Sequence, residues 1–266
     1  MLSFIRKNKR NKTPAARIYI TGDKHRDFRA LIRFCKKNRT TPADTIIILG
    51  DACFNYFGDE RDDQLKQKLT NTKVTLFCIH GNKENRPQNI ATYKSREYRG
   101  GIVYFEPAYP NILFAKDCEI YDFCGHDAIV IGGSHSVDKY YRLENALPYW
   151  FDEEPDERIM QRFENIMQDR NWEIEYIFSH TVPLKYEPTE VFISNKKKPG
   201  WCLKKAAPKR DYVLDIDKSV EQWLDRIESK THYQRWFAGH YHTDKKVDRL
   251  TIMQHEFENL TRGEVS

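Results

Sequence analysis

The chain has 266 residues, with 44 Lys and Arg against 39 Asp and Glu and a formal net charge of +5. Its 39% apolar content, with aromatic residues at 13% of the chain, excludes a disordered chain, and the length suits one large domain with a sizeable core. No run approaches the roughly 18 apolar residues of a membrane span, Leu2 to Ile5 is far shorter than a secretory core of about 7–15 residues, and the mild charge allows an anionic ligand without demanding a polynucleotide.

Residues 1–16 are basic and read as a flexible N-terminal segment, or alternatively as a nucleic-acid arm. The rest, 17–266, reads as a single domain. Ile18 to Ile20 is a short strand ending in Thr21-Gly22-Asp23. Phe28, Leu31, Ile32 and Cys35 then recur at helical spacing, with Asp27 as N-cap. Thr45 to Leu49 is an apolar strand, suited to burial on both faces, that ends in Gly50-Asp51. A helical stretch over 59–69 precedes a strand over 74–79 and the turn His80-Gly81-Asn82. This strand, loop and helix repeat predicts a parallel sheet with crossover helices.

Four short runs (102–105, 111–115, 119–123 and 128–131) have the spacing of an antiparallel meander. A helix over 154–169, opened by Asp152-Glu153-Glu154-Pro155, leads to a strand over 176–178 and to Ser179-His180. Residues 187–216, with Lys196-Lys197-Lys198, read as a loop or lid. A helix over 217–229 and a strand over 236–238 then lead into Gly239-His240-Tyr241-His242. The six cysteines form no C-x-x-C pair, so reduced thiols in a cytoplasmic protein are expected, with neither a disulfide framework nor a zinc ribbon.

One regularity carries chemistry. Nearly every apolar strand ends in Asp, Asn or His: Asp23 with His25, Asp51, Asn82, His180, and His240 with His242. In α/β sheets ligands bind beyond the carboxyl ends of the strands, so these residues would meet in one crevice. Two Asp, one Asn carbonyl and four His are metal-ligand types, and seven of them with one shared carboxylate suit two divalent ions. Two such ions, about 3.5–4 Å apart, would hold a bridging hydroxide and neutralise the attacking and leaving oxygens of a phosphoryl displacement. Each fragment alone is weak; the series of strand ends is the signal.

Asp23-x-His25, Gly50-Asp51, Gly81-Asn82-Lys83-Glu84, His180 and Gly239-His240-x-His242 together resemble the blocks of the calcineurin-like metallophosphoesterases over about residues 17–250. The resemblance implies a four-layer αββα sandwich of two mixed β-sheets flanked by helices. It implies that Asp23, His25, Asp51 and His242 hold one metal, and that Asp51 bridges to a second completed by Asn82, His180 and His240. It also implies Mn, Fe, Zn or Ni, with Mn the first choice. The third block departs from the family, which has His where this chain has Lys83. Lys83 could act as an altered acid, hydrolysis could be lost while binding is kept, or another donor such as His135 could serve. As it stands, His135 reads first as an exposed loop histidine. His80 should face away from the ligands, and Cys53 reads as structural.

Arg86 and Arg142 are the expected phosphate-side contacts, together with Asn82 and His135; Asn55 and Tyr56 are further candidates for the pocket wall. Three functions follow as expectations. The first is a metal-dependent phosphoesterase acting on a phosphomonoester or small phosphodiester, such as a nucleotide, with Lys83 and Asp51 as the catalytic pair. The others are a catalytically impaired metal- and phosphate-binding module, and a nuclease that tracks nucleic acid. No membrane partner is expected.

Overall fold

In the computed structural model, which describes residues 16–191 and 216–261, the apolar strands sort into two sheets. Almost all of the 1–16 segment, most of the 187–216 stretch with its lysine run, and Cys202 lie outside the described residues. The first half of the chain supplies β1 (Ile18–Thr21), α1 (Arg29–Asn38), β2 (Thr45–Ile48), α2 (Glu60–Thr70), β3 (Thr75–Cys78), β4 (Lys94–Tyr98), β5 (Gly101–Phe105) and β6 (Ile112–Ala115). The second half supplies β7 (Ile120–Asp122), β8 (Asp127–Ile131), α3 (Lys139–Glu144), α4 (Glu157–Asp169), β9 (Glu173–Ser179) and α5 (Ser219–Glu228). It closes with β10 (His232–Ala238), β11 (Lys245–Val247), β12 (Leu250–Ile252) and β13 (Glu258–Asn259).

A seven-stranded sheet has the order β13-β1-β2-β3-β6-β5-β4, and a six-stranded sheet the order β11-β12-β10-β9-β8-β7. Each is mixed, with a parallel block: β1, β2, β3 and β6 in one, β12, β10, β9 and β8 in the other. Strand alternation splits every run between two layers. Ile47, Leu49, Phe77 and Ile79 face the second sheet's Val130, Phe178 and Phe237. Ile46, Ile48, Leu76 and Cys78 face Leu31 and Cys35 of α1 and Leu69 of α2. On the far side, Phe163 and Met167 of α4 and Val220, Trp223, Leu224 and Ile227 of α5 cover the six-stranded sheet. The result is the αββα sandwich that the family resemblance implies.

Three local expectations are corrected. The four runs over 102–131 do not form a meander: β5 pairs with β6 and β7 with β8, but β6 also lies parallel to β3 while β7 belongs to the other sheet. The turn between β6 and β7 therefore carries the chain across the sandwich. Helix α4 starts later than expected, because Asp156 accepts from the Ile159 N–H at 2.8 Å and caps it. Residues 152–155 are thereby free to approach the site. Asp27 accepts from the Arg29 N–H at 3.0 Å, yet the residue in the cap position of α1 is Phe28. Among the described residues, cysteines 35, 53, 78, 118 and 124 are free thiols.

Candidate metal centre

Parallel strands end on the same side, and here both parallel blocks deliver their ends to one place. The seven-stranded sheet contributes Asp23 after β1, Asp51 after β2 and Asn82 after β3; the other contributes His180 after β9 and His240 and His242 after β10. His25 follows Asp23 on its loop. Asp23, Asp51, Asn82 and His180 are buried, whereas His25 and His242 retain exposed rings at the mouth.

Close approach explains the glycines at two of these ends. A Cβ on Gly50, whose φ is +99°, would lie 2.0 Å from His180 Nδ1; a Cβ on Gly81 would lie 2.1 Å from Asp51 Oδ1. His25, Asp51, His240 and His242 themselves have positive φ, between 42° and 68°. Residues with a Cβ hold this conformation at a cost, roughly 1–3 kcal/mol each, and such strain concentrates at sites where a side chain must be aimed.

Asp51 lies between two groups of donors. Its Oδ2 is 3.6 Å from His25 Nδ1 and its Oδ1 is 3.7 Å from His180 Nε2. Asp23 Oδ2 is 3.5 Å from His25 Nε2 and 3.4 Å from His242 Nε2. The two exposed imidazoles face each other, Nε2 to Nε2, at 2.6 Å. Asp23 Oδ1 accepts from the His240 N–H at 2.9 Å, while its Oδ2 is buried with no hydrogen-bond partner among the described residues.

His180 gives a second sign of a cation site. Its Nδ1 donates to the Leu49 carbonyl at 2.8 Å, so in the neutral ring Nε2 carries a lone pair. That lone pair faces Asn82 Oδ1 at 2.9 Å, and the Asn82 amide is oriented by its Nδ2 donating to Ser136 Oγ at 2.7 Å. A lone pair, an amide oxygen and a carboxylate converging on one point suit a cation there. A backbone carbonyl holding the far nitrogen is the usual support of a metal-binding histidine. The donor sets Asp23–His25–His242 and Asp23–Asp51–His180 each bring their ligand atoms within 4.8 Å of one another, so buried Asp and His clusters able to hold a metal ion are present.

Electrostatics agree with that geometry. Burial opposes ionisation of Asp23, but contacts with His242 and His25 outweigh it and hold the carboxyl well below its usual range. Burial keeps His240 neutral, which is the form that binds a metal. Burial lowers the pKa of His25, yet Asp23 and Asp51 raise it on balance. Burial, then the negative charge of Asp51, pushes Glu84 up to about 8.

Around this centre the remaining candidates separate. Lys83 donates from its backbone N–H to Asp51 Oδ1 at 2.8 Å, and its ammonium binds Ser136 Oγ at 2.8 Å and Asp138 Oδ1 at 2.5 Å. Asp138 Oδ2 accepts from Arg142 Nε at 2.9 Å, and Arg142 Nη1 reaches Tyr56 Oη at 3.1 Å. Lys83, Asp138, Arg142 and Tyr56 thus form one chain from the centre outward. Arg86 is placed differently from the phosphate contact expected of it. It is buried beneath Gly133, pairs with Asp117 at 2.6 Å and donates to the Asp152 carbonyl at 2.6 Å.

His135 is also corrected. It is buried, not an exposed loop histidine, and points away from the centre toward Glu154, 3.2 Å from its Nδ1. His80 is buried with both ring nitrogens unpartnered among the described residues. Burial first, then Arg86 and His180, hold its pKa far down. Asn55 is buried and accepts from Tyr93 Oη at 3.0 Å. The residues that sequence reasoning missed are Ser134, Ser136 and Asp138. Ser134 Oγ lies 3.0 Å from His240 Nδ1. Alternate polar residues directly after a strand, Gly133-Ser134-His135-Ser136, were the available signal.

No model of a known protein family matches the chain, and no curated protein does. Solved structures do. TT1561 of Thermus thermophilus superposes with a TM-score of 0.50 at 12% identity, over 92% of this chain and 98% of that one. AQ665 from Aquifex aeolicus, described as a protein of unknown function, gives a TM-score of 0.31 at 14% identity over 65% of this chain and 82% of its own. At such identity the TT1561 likeness is one of fold: this chain shares its architecture over nearly its full length.

Proposed function

We propose that the protein is a metal-dependent phosphoesterase of the calcineurin-like class, acting on a phosphomonoester or a small phosphodiester such as a nucleotide. The observation that carries this reading is the position of Asp51, with one carboxylate oxygen toward His25 and the other toward His180. A carboxylate so placed can be shared by two ions, one among Asp23, His25 and His242, the other among Asn82, His180 and His240. Bound there, two divalent ions such as Mn would supply Lewis acidity and a nucleophilic water at neutral pH.

The chain's own residues supply the rest. Asn82 is held by Ser136 and His240 by Ser134, so both ligands are aimed before a substrate arrives. The Lys83 ammonium, oriented by Asp138 and Ser136, would pair with a phosphoryl oxygen and could give a proton to the leaving oxygen. Arg142 and Tyr56 lie further along the same chain, where the remainder of a substrate would extend.

The test is a panel of substrates for the Mn-loaded protein: p-nitrophenyl phosphate, its bis ester, cyclic nucleotides and single-stranded DNA. Turnover of a monoester or small diester is expected. Turnover confined to DNA would replace this reading with the nuclease. A second reading is favoured by the engagement of Lys83 with Asp138, which leaves the ammonium less free to act as an acid: a metal- and phosphate-binding module. Two bound metals with no turnover on any substrate would favour it.

A further inference from the structure

The loop after β8 has two faces. Ser134 and Ser136 point to the metal centre, touching His240, Asn82 and Lys83. His135, between them, points the opposite way, as alternation along an extended segment requires. There it meets two carboxylates from other elements: Glu154, from the segment before α4, and Asp217, two residues before α5. One ligand atom from each of the three comes within 4.8 Å of the others.

Two further observations bear on what this cluster is for. Glu154 Oε2 faces His135 Nδ1 at 3.2 Å, but its Oε1 is buried without a hydrogen-bond partner among the described residues. A buried carboxylate oxygen left unpaired is costly, and a cation removes the cost. The surrounding field is negative: contact with Glu154 and the charges of Glu154 and Glu153 outweigh burial and Lys139 and draw positive charge to His135, so a divalent ion would take the place of a proton on the imidazole.

We propose that His135, Glu154 and Asp217 form a separate mononuclear site for a divalent first-row transition ion, such as Mn or Zn. One imidazole and two carboxylates are a ligand set such ions accept, with water completing the shell. The ion would tie the loop after β8 to the segments entering α4 and α5. Glu153 already clamps that loop, its carbonyl accepting from the Ser134 N–H at 3.2 Å and its Oε1 from the Ser136 N–H at 2.9 Å. The ion would therefore hold the back of the segment whose front aims Asn82 and His240. This site is independent of the phosphoesterase reading, because it shares no ligand with the other centre.

The experiment is metal counting on chelator-stripped, full-length protein titrated with Mn or Zn, with electron paramagnetic resonance on the Mn-loaded forms. Three variants are compared with the wild type: His135→Ala, Asp217→Asn and Asp51→Asn. Asp217 also accepts from the Ser219 N–H at 2.8 Å at the start of α5. Asn keeps an oxygen that can accept this hydrogen bond while losing the charged ligand, so the turn into α5 is retained. The expected result is one ion with an isolated Mn signal that persists in Asp51→Asn. Its affinity should fall at least about 10-fold in Asp217→Asn, and it should be absent in His135→Ala. A stoichiometry and affinity that Asp217→Asn and His135→Ala leave unchanged would overturn the proposal, as would loss of every bound ion in Asp51→Asn. Persistence of this ion with no pair of ions at Asp51 would instead count against the phosphoesterase centre alone.

Discussion

The two sheets contribute unlike halves to the centre. The seven-stranded sheet ends in oxygen donors, Asp23, Asp51 and Asn82, all buried; the six-stranded sheet ends in the imidazoles of His180, His240 and His242. Neither half is a site alone. The oxygen half carries negative charge that burial penalises, and the nitrogen half carries lone pairs, that of His180 shut off from water. What brings them together is the aromatic layer between the sheets, where Phe178 and Phe237 sit with ring centroids 5.8 Å apart and Phe77 and Phe123 at 5.2 Å. Chemistry at the edge is thus paid for by packing in the middle.

Breaking the oxygen half directly should have the largest effect. Asp51→Asn is expected to abolish binding of the ion pair and lower phosphoesterase turnover by roughly 10³-fold or more, read by metal analysis and steady-state rates. Retention of both ions would refute the bridging assignment. Loosening the join between the halves comes next. Phe237→Ala touches no proposed ligand, yet should cost about 3–4 kcal/mol in urea unfolding and weaken metal binding with it. Unchanged metal affinity in the destabilised protein would mean that each half holds its ion unaided.

A change confined to the outer side of one sheet should separate stability from chemistry. Burial disfavours the charge on Asp44, but the Arg17 guanidinium and the N–H groups of Thr41 and Arg17 outweigh it and lower its pKa to about 2. Because the folded pKa lies below the unfolded one, this stabilisation is present above about pH 4 and lost as pH falls through about 2. Asp44→Asn should therefore cost roughly 2 kcal/mol at pH 7. The difference from wild type should shrink on acidification, with metal affinity unaltered; a difference independent of pH would exclude the ion pair as its source. The smallest effect concerns the rim. Lys83→His should raise turnover about 10-fold for poor leaving groups and little for good ones. An equal change for all would remove Lys83 from the acid's role.

Much of the candidate site was legible because each donor is announced locally. A strand, a glycine and a polar residue form a short pattern, and the parallel direction of the strands makes such ends coincide. Gly50-Asp51 and Gly239-His240 could be read that way without knowing which sheet held them. The 102–131 region was not legible in the same sense. Its strands pair in hairpins as expected, but the turn between Ala115 and Ile120 crosses from one sheet to the other, and nothing in the alternation of apolar residues distinguishes the two destinations. Arg86 and His135 were misread for a related cause: a charged or titratable residue after a strand suggests solvent or ligand, while here Asp117 and Glu154 bury each by pairing with it.

By itself the sequence determined the period of most elements and the identity of the donors at the strand ends, because these follow from neighbours within a few residues; the αββα class came only with the family resemblance. Only the tertiary structure decided which sheet each strand joined, which way His135 faced between two serines, and that Asp138 would hold Lys83. Those outcomes depend on partners far away in the chain. A backbone hydrogen-bond ladder or a buried charge accepts any partner of the right geometry, and only the packed sandwich selects one.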